Sequence, residues 1–329
     1  MQESSTVARE SSTGPLQTRP LSPYVGVEII GLDLEQPLSP EVERQLQALW
    51  IEYGLLLFRA VASEDAHLRI SRCFGELQPS SYGAKGGFNH VGNPYLLNVT
   101  YNPAKSAAVN STIYFARGEP RAGYIGWHWD QSFLPKMVRG GALRMIEAAA
   151  KGGETGFIDA IGAYERLPAD LKSRIEGLEV VYAHTTKMET NRYGFPPDFK
   201  VLQRADDLKW PTYPPVVHPL VISQPGTGRK VLRLSPMHSK YILGLSAAES
   251  DALMQEISDH LTDERYAYFH SWSNDDVVIW DNWRIIHSAK GVPPDCLRRA
   301  YRTTLVGDLG LGRLLEPASA EGPENAPAD

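Results

Sequence analysis

The shortness of its apolar segments constrains this chain more than any other feature. Strand-length runs recur throughout, separated by Gly, Pro and polar residues. Tyr24-Val25-Gly26-Val27-Glu28-Ile29-Ile30 alternates, Gly54-Leu55-Leu56-Leu57-Phe58-Arg59 reads as a buried strand, and Tyr95 to Tyr101, Gly141 to Ala148, Asp276 to Asp281 and Arg298 to Val306 complete the series. Helices are fewer. Ser39-Pro40-Glu41 supplies an N-cap, a first-turn proline and an acid near the positive end of the dipole. Ser63-Glu64-Asp65 starts a second helix ending near Gly75, Tyr164 to Leu178 carries a helical pattern interrupted by Pro168, and the capping box Ser246-Ala247-Ala248-Glu249 opens a helix to about Leu261. Many short strands with scattered helices argue for a mainly β sandwich or barrel rather than a doubly wound sheet. Pro225-Gly226-Thr227-Gly228-Arg229-Lys230 lacks phosphate-loop spacing and reads as a hairpin turn between two alternating segments.

The chemistry concentrates in Gly126-Trp127-His128-Trp129-Asp130-Gln131-Ser132-Phe133. Read as a strand, this run turns His128 and Asp130 to one face, because side chains alternate. A lone His-x-Asp pair is more often a hydrogen-bonded structural pair than a metal site. His287, in Trp280-Asp281-Asn282-Trp283-Arg284-Ile285-Ile286-His287, offers a third ligand. Two histidines and one carboxylate on one face suit non-haem Fe(II) with open positions. The remaining histidines (His67, His90, His184, His218, His238, His260 and His270) show no ligand spacing and read as surface or packing residues, and Trp127, Trp129 and Trp283 read as packing around the site.

These pieces, with Gly152-Gly153-Glu154-Thr155 and with Arg298 and Arg302 ahead of Thr303-Thr304-Leu305-Val306-Gly307-Asp308, make the chain resemble the taurine dioxygenase family of Fe(II)- and 2-oxoglutarate-dependent oxygenases. The motifs keep the family's order, and the resemblance runs from about Leu21 to about Asp308. It implies a double-stranded β-helix, or jelly roll, braced by helices. It also implies Fe(II) on His128, Asp130 and His287, with 2-oxoglutarate and dioxygen completing the coordination. Arg298 and Arg302, eleven and fifteen residues after His287, match the family arginines: Arg298 the one for the distal carboxylate, Arg302 the one nearer the C1 carboxylate and an acidic substrate. Thr155 matches the threonine that donates to the same distal carboxylate, and Asp281 and Asn282 match residues that orient the His287 strand. The implied reaction releases succinate and CO2 while oxidising a small organic substrate, with hydroxylation the default and halogenation disfavoured because Asp130 occupies the position a halide would need.

The substrate side departs from the taurine-specific members. Phe74-Gly75-Glu76-Leu77 is followed by Gln78-Pro79-Ser80-Ser81-Tyr82 without the family histidine, leaving Tyr82 as a partial substitute, and Ser235-Pro236-Met237-His238 replaces an Asn-led loop. Tyr82, Asn98, His238 and Arg302 are the candidate substrate contacts. Taurine is therefore not the expected substrate; a larger molecule is, in specialised metabolism, anionic if Arg302 grips it.

The expected organisation is a disordered tail over 1–20, one oxygenase domain over 21–312 with lid segments about 78–125 and 185–213, and a second disordered tail over 313–329. A net charge of −6 and no basic run speak against nucleic acid, and no apolar run is long enough for a membrane span. Two cysteines, Cys73 and Cys296, are too few for a disulfide framework, and no secretory core precedes Pro20, so a cytoplasmic protein is expected, with a homo-oligomer compatible with all of this. Two alternatives stand beside the oxygenase: a zinc hydrolase, which would leave the arginine pair and Thr155 without a role, and a non-catalytic jelly-roll binding protein.

Overall fold

The structure is a computed structural model that describes residues 14–80, 90, 92–105, 112–205 and 211–316. In chain order the strands are β1 (Gln17–Pro20), β2 (Val27–Ile30), β3 (Leu55–Phe58), β4 (Leu97–Tyr101), β5 (Ile113–Ala116), β6 (Glu119–Ala122), β7 (Ile125–His128), β8 (Gly140–Glu147), β9 (Thr155–Asp159), β10 (Glu179–Tyr182), β11 (Lys200–Gln203), β12 (Val216–Pro219), β13 (Val221–Ser223), β14 (Lys230–Leu232), β15 (Ser239–Ile242), β16 (Tyr268–His270), β17 (Val277–Asp281), β18 (Ile285–Ala289), β19 (Arg298–Leu305) and β20 (Arg313–Leu314). The helices are α1 (Pro40–Tyr53), α2 (Glu64–Arg72), α3 (Ala160–Glu165), α4 (Ala169–Ile175) and α5 (Ala247–Leu261).

Two sheets form the jelly roll: a seven-stranded one ordered β1-β2-β3-β17-β8-β19-β4 and a four-stranded one ordered β16-β9-β18-β7. Strand β17 shows why both faces of the larger sheet are apolar. Val277 and Ile279 turn outward onto Leu46 and Trp50 of α1 and Ile70 of α2. Val278 and Trp280 turn inward, onto Phe157 of β9 and Ile285 of β18. A strand covered on both sides reads as a continuous apolar run.

Local chemistry sets the helix ends. Ser39 caps α1 by accepting from the Val42 amide at 3.3 Å. Gly54 closes the helix at φ +70°, and a Cβ there would stand 2.9 Å from the Ile285 side chain. The capping box of α5 forms with both bonds present, and the hairpin expected around Pro225 to Lys230 joins β13 to β14. Pro168 does interrupt a helical stretch, but the first piece begins at Ala160, where Asp159 caps it.

Three expectations are corrected. Gln17–Pro20 lies within the expected tail yet pairs residue for residue with β2, and Arg313–Leu314 pairs with β12. Backbone hydrogen bonding to a neighbouring strand orders these short segments where side-chain burial does not. The lid segments are also more regular than expected: β5 and β6 form a hairpin, and β11 from the second segment adds to β5, making one three-stranded sheet from both. Its aromatic packing joins Tyr114 and Tyr124 to Phe195 and Phe199. Among the described residues no helix is long and apolar enough to cross a membrane.

Burial also sets an acid limit. His67 on α2 is fully buried near the Ala142 carbonyl, and burial pushes its imidazole down to about 3; His218 on β12 is pushed down to about 4. Because the folded values lie below the ordinary 6.5, the unfolded chain takes up these protons first as pH falls. Stability from these groups is therefore full above about 6.5 and is lost below it, by at most about 1.4 kcal/mol per group per pH unit. The urea midpoint should fall steadily from pH 6.5 towards 4, with a smaller slope in His67→Leu; identical slopes would contradict this account.

Candidate active site

The two histidines meet because β18 pairs antiparallel with β7 so that His287 sits directly opposite His128. Their rings stand 4.3 Å apart between centroids. Asp130 reaches them differently from the strand reading. β7 ends at His128, and Asp130 lies in the turn beyond it, followed by Gln131 at φ +54°. Asp130 Oδ1 is 3.8 Å from His128 Nε2 and 3.7 Å from His287 Nε2. One donor atom from each of the three residues lies within 4.8 Å of the others, and all three residues are buried.

The donor chemistry fits a transition metal. His128 Nδ1 bonds the Gly126 carbonyl at 2.8 Å, which leaves Nε2 with its lone pair towards Asp130. Burial pushes both imidazoles below the usual value, His287 well below it, so both are neutral ligands near neutral pH. Burial works against ionising Asp130, but the Arg302 guanidinium beside it holds the carboxyl well below the usual range. Donors about 2.1 Å from a common ion can stand at most about 4.2 Å apart, which both carboxylate–imidazole distances satisfy.

Asp130 is held from the opposite sheet, at its carboxylate and at its backbone. Arg302 donates Nη1 to Oδ1 at 3.0 Å and lies 2.7 Å from Oδ2 through Nη2, and Trp280 Nε1 donates to Oδ2 at 3.2 Å. Asn282 clamps the backbone: its Oδ1 accepts from the Asp130 amide at 2.9 Å and its Nδ2 donates to the Asp130 carbonyl at 3.1 Å. Asn282 therefore steadies the Asp130 turn directly, rather than acting only on the His287 strand as expected. Asp281 binds Arg139, which is sandwiched 4.1 Å from the rings of both Trp50 and Trp283.

The remaining site candidates separate. Arg298 and Arg302 share a face of β19, since their pairing with β4 is regular from Arg298↔Tyr101 to Arg302↔Leu97. Arg298 has no hydrogen-bonding or ionic side-chain partner among the described residues, and burial pushes its guanidinium down to about 10. Its stem lies against Gly153, two residues before Thr155, where an added Cβ would stand 3.5 Å from Arg298 Cδ. Thr155, at the start of β9, accepts a bond from Trp272 Nε1 at 3.0 Å.

His238 is buried, with its ring 6.3 Å from that of His128, and its Nδ1 bonds the Ser132 hydroxyl at 2.9 Å. Phe133, His184 and Tyr213 cluster with it, the Phe133 ring lying 4.6, 4.9 and 5.2 Å from those of His184, Tyr213 and His238. His238 is thus no stray packing residue. Asn98 is corrected: it pairs with Tyr301, and alternation places it on the sheet face away from Arg298 and Arg302. Tyr82 lies outside the described residues. Trp280, Trp272 and the Phe133 cluster carried no spacing signal, because each contact joins segments far apart in sequence.

A family model described as taurine catabolism dioxygenase TauD, TfdA family matches residues 17–304. The chain is 29% identical over 297 residues to the alpha-ketoglutarate-dependent 2,4-dichlorophenoxyacetate dioxygenase of Cupriavidus pinatubonensis, covering 88% of this chain and 97% of that protein. It is 26% identical over 316 residues to the pentalenolactone F synthase of Streptomyces avermitilis, covering 92% and 95%. The crystal structure of a taurine dioxygenase from Burkholderia xenovorans superposes with a TM-score of 0.70 at 26% identity, covering 94% of this chain and all of that one.

The clamp on Asp130 makes a direct prediction. Asn282→Ala should weaken binding of a divalent transition metal about 10- to 100-fold, the usual effect of losing a group that orients a ligand. Anaerobic titration with Fe(II) or Mn(II) measures it, and wild-type affinity in the variant would remove Asn282 from the site's support.

Proposed function

Because this chain belongs to the TauD, TfdA family of dioxygenases, we propose that His128, Asp130 and His287 are the ligands through which it works. The protein is an Fe(II)- and 2-oxoglutarate-dependent dioxygenase acting on a small organic molecule. The observation that carries the ligand assignment is the convergence of two neutral imidazoles and one ionised carboxylate, buried together where β7 meets β18. Bound Fe(II), with 2-oxoglutarate and dioxygen, supplies oxidative decarboxylation to succinate and CO2 coupled to oxidation of a substrate C–H bond.

The chain's own residues do the rest. Gly126 holds the His128 ring by its Nδ1–H, and Arg302 and Trp280 hold the Asp130 carboxylate ionised and oriented. Among the described residues Arg298 is a cation without an anion, and a half-buried guanidinium in that state favours a carboxylate as its partner. With Thr155 it forms the seat for the distal carboxylate of 2-oxoglutarate. Arg302 spends two donors on Asp130, while its Nε is buried without a partner among the described residues. Beyond these, the second N–H of Nη1 and of Nη2 remain as donors for the C1 carboxylate or for an acidic substrate.

For the substrate, the wall of Phe133, His184, Tyr213 and His238 beside His128 supports a body larger and less polar than taurine. Burial pushes His184 and His238 below the usual imidazole value, so the wall carries no fixed positive charge for a sulfonate near neutral pH. A cytoplasmic setting fits the free Cys73 and Cys296.

Anaerobic Fe(II) with 2-oxoglutarate should give the weak visible absorption of the chelate in wild type and not in His128→Ala. Arg298→Met should raise the 2-oxoglutarate dissociation constant about 10- to 100-fold, the effect of losing bonds to a charged group. A band that survives in His128→Ala would overturn the ligand assignment. In turnover, succinate release with taurine should be about tenfold or more below that with the best of a panel of larger ring-containing acids, a ratio within reach of pocket discrimination; equal rates would overturn the substrate class.

A further inference from the structure

Thr155 holds its hydroxyl in a one-sided arrangement. The indole N–H of Trp272 donates to Oγ1 at 3.0 Å, and an indole nitrogen is a donor only. That bond uses the hydroxyl as acceptor, so the hydroxyl proton must point elsewhere. Among the described residues Thr155 Oγ1 has no other hydrogen-bond partner, so its proton meets no acceptor there. Arg298, whose stem lies against Gly153 two residues before Thr155, likewise has no anion among the described residues. A committed donor two residues from the glycine on which an unanswered guanidinium packs describes a site for a carboxylate.

Trp272 is itself held in place. It follows β16, whose His270 pairs directly with Thr155 across to β9. The indole packs edge-on against His270, 4.5 Å between centroids at 85°. His270 is fixed at both nitrogens, Nδ1 to the Tyr268 hydroxyl at 2.8 Å and Nε2 to Asp276 at 3.1 Å. Asp276 is anchored in turn by Arg59 at 2.6 Å and by the Ser273 amide at 2.9 Å. Swinging the indole away would break its bond to Thr155 and its packing on His270, a ring fixed by a chain of polar contacts, and such chains gain rigidity from full satisfaction.

We infer that Trp272 is a positioning residue for the cosubstrate: by donating to Thr155 Oγ1 it commits the threonine hydroxyl proton to the distal carboxylate that Arg298 neutralises. This rests on the assignment above of Thr155 and Arg298 to that carboxylate. The role differs from bracing the fold, because it acts on one end of one ligand. A 2-oxo acid without the distal carboxylate is indifferent to it.

The test compares 2-oxoglutarate with 2-oxobutyrate, which keeps the chelating end and lacks the distal carboxylate. Binding is read anaerobically from the absorption of the Fe(II) complex. Trp272→Phe, which keeps a ring against His270, should weaken 2-oxoglutarate about fivefold, the effect of one neutral hydrogen bond, and leave 2-oxobutyrate unchanged. In turnover the KM for 2-oxoglutarate should rise by a similar factor with kcat at saturation unchanged. Thr155→Val should weaken 2-oxoglutarate at least as much, and adding Trp272→Phe to it should cost nothing further, since the two act through one bond. Should the phenylalanine variant not fold, 3-benzothienylalanine at position 272 replaces only the N–H by sulfur and carries the same expectation.

Equal weakening of both acids, unchanged binding of both, or losses that multiply in the double variant would each overturn the inference. If Thr155→Val binds 2-oxoglutarate normally while the chelate band persists, the threonine assignment and this inference fall together and the metal centre stands. If wild type gives no band, the fault lies with the metal reading, and the inference falls with it.

Discussion

A carboxylate only 6% exposed cannot stay ionised without compensation, and the architecture around Asp130 is organised to supply it. The arginine comes from β19 and the indole from β17, both in the larger sheet. The imidazoles come from β7 and β18 in the smaller one. Asp130 thus lies where the two halves of the jelly roll face each other, and its charge is answered from the larger one. The turn that carries it is pinned by Asn282, next to the end of β17. Moving either sheet relative to the other would leave a buried charge unpaired, which costs far more than a surface ion pair gains.

Arg298 and Arg302 share a strand face but not an electrostatic state. Arg302 has its carboxylate, while Arg298 is held in a desolvated setting against Gly153 with none among the described residues. Such an arrangement is unfavourable for the empty protein and favourable for a complex with a dicarboxylate cosubstrate. The cost of organising the site is met during folding, by the packing of α1 and α2 on one face of the larger sheet and of the smaller sheet on the other, so that binding need not meet it.

The substrate side is built from different material. Ser235 to His238 is stapled to the ligand run, with the Trp129 amide bonding Ser235 Oγ at 3.1 Å and the Met237 amide bonding the Trp127 carbonyl at 3.2 Å. The sheet of β5, β6 and β11 lies close by, and Phe195 from its connecting segment occupies the space a side chain at position 126 would need; a Cβ there would stand 2.8 Å from the ring. Gly126 therefore serves twice, accepting from His128 and admitting Phe195. The ligands come from paired core strands and the contact surface from long connections between them, so the surface can vary while the ligand geometry stays in place.

How much of this was legible in the chain itself follows from the range of each interaction. Helix caps at Ser39, Ser63 and Ser246, the hairpin around Gly226, and the strand-length runs of β3, β8, β17 and β19 depend on neighbours within a few residues, so the sequence alone determined them, and with them the mainly β class. The residue types of the ligand set were equally plain, because few side chains can bind a transition metal and their order along the chain is distinctive. What only the tertiary structure decided were facing and register. Asn98 points away from the arginines because β4 pairs with β19 one residue out of phase for it, and Asp130 reaches the histidines from a turn rather than from the strand. The Asn282 clamp, the Trp272 bond to Thr155 and the union of two loop segments in one sheet were likewise invisible beforehand. Each joins groups tens to more than a hundred residues apart, and a hydrogen bond depends on where two atoms meet, which local propensity cannot specify.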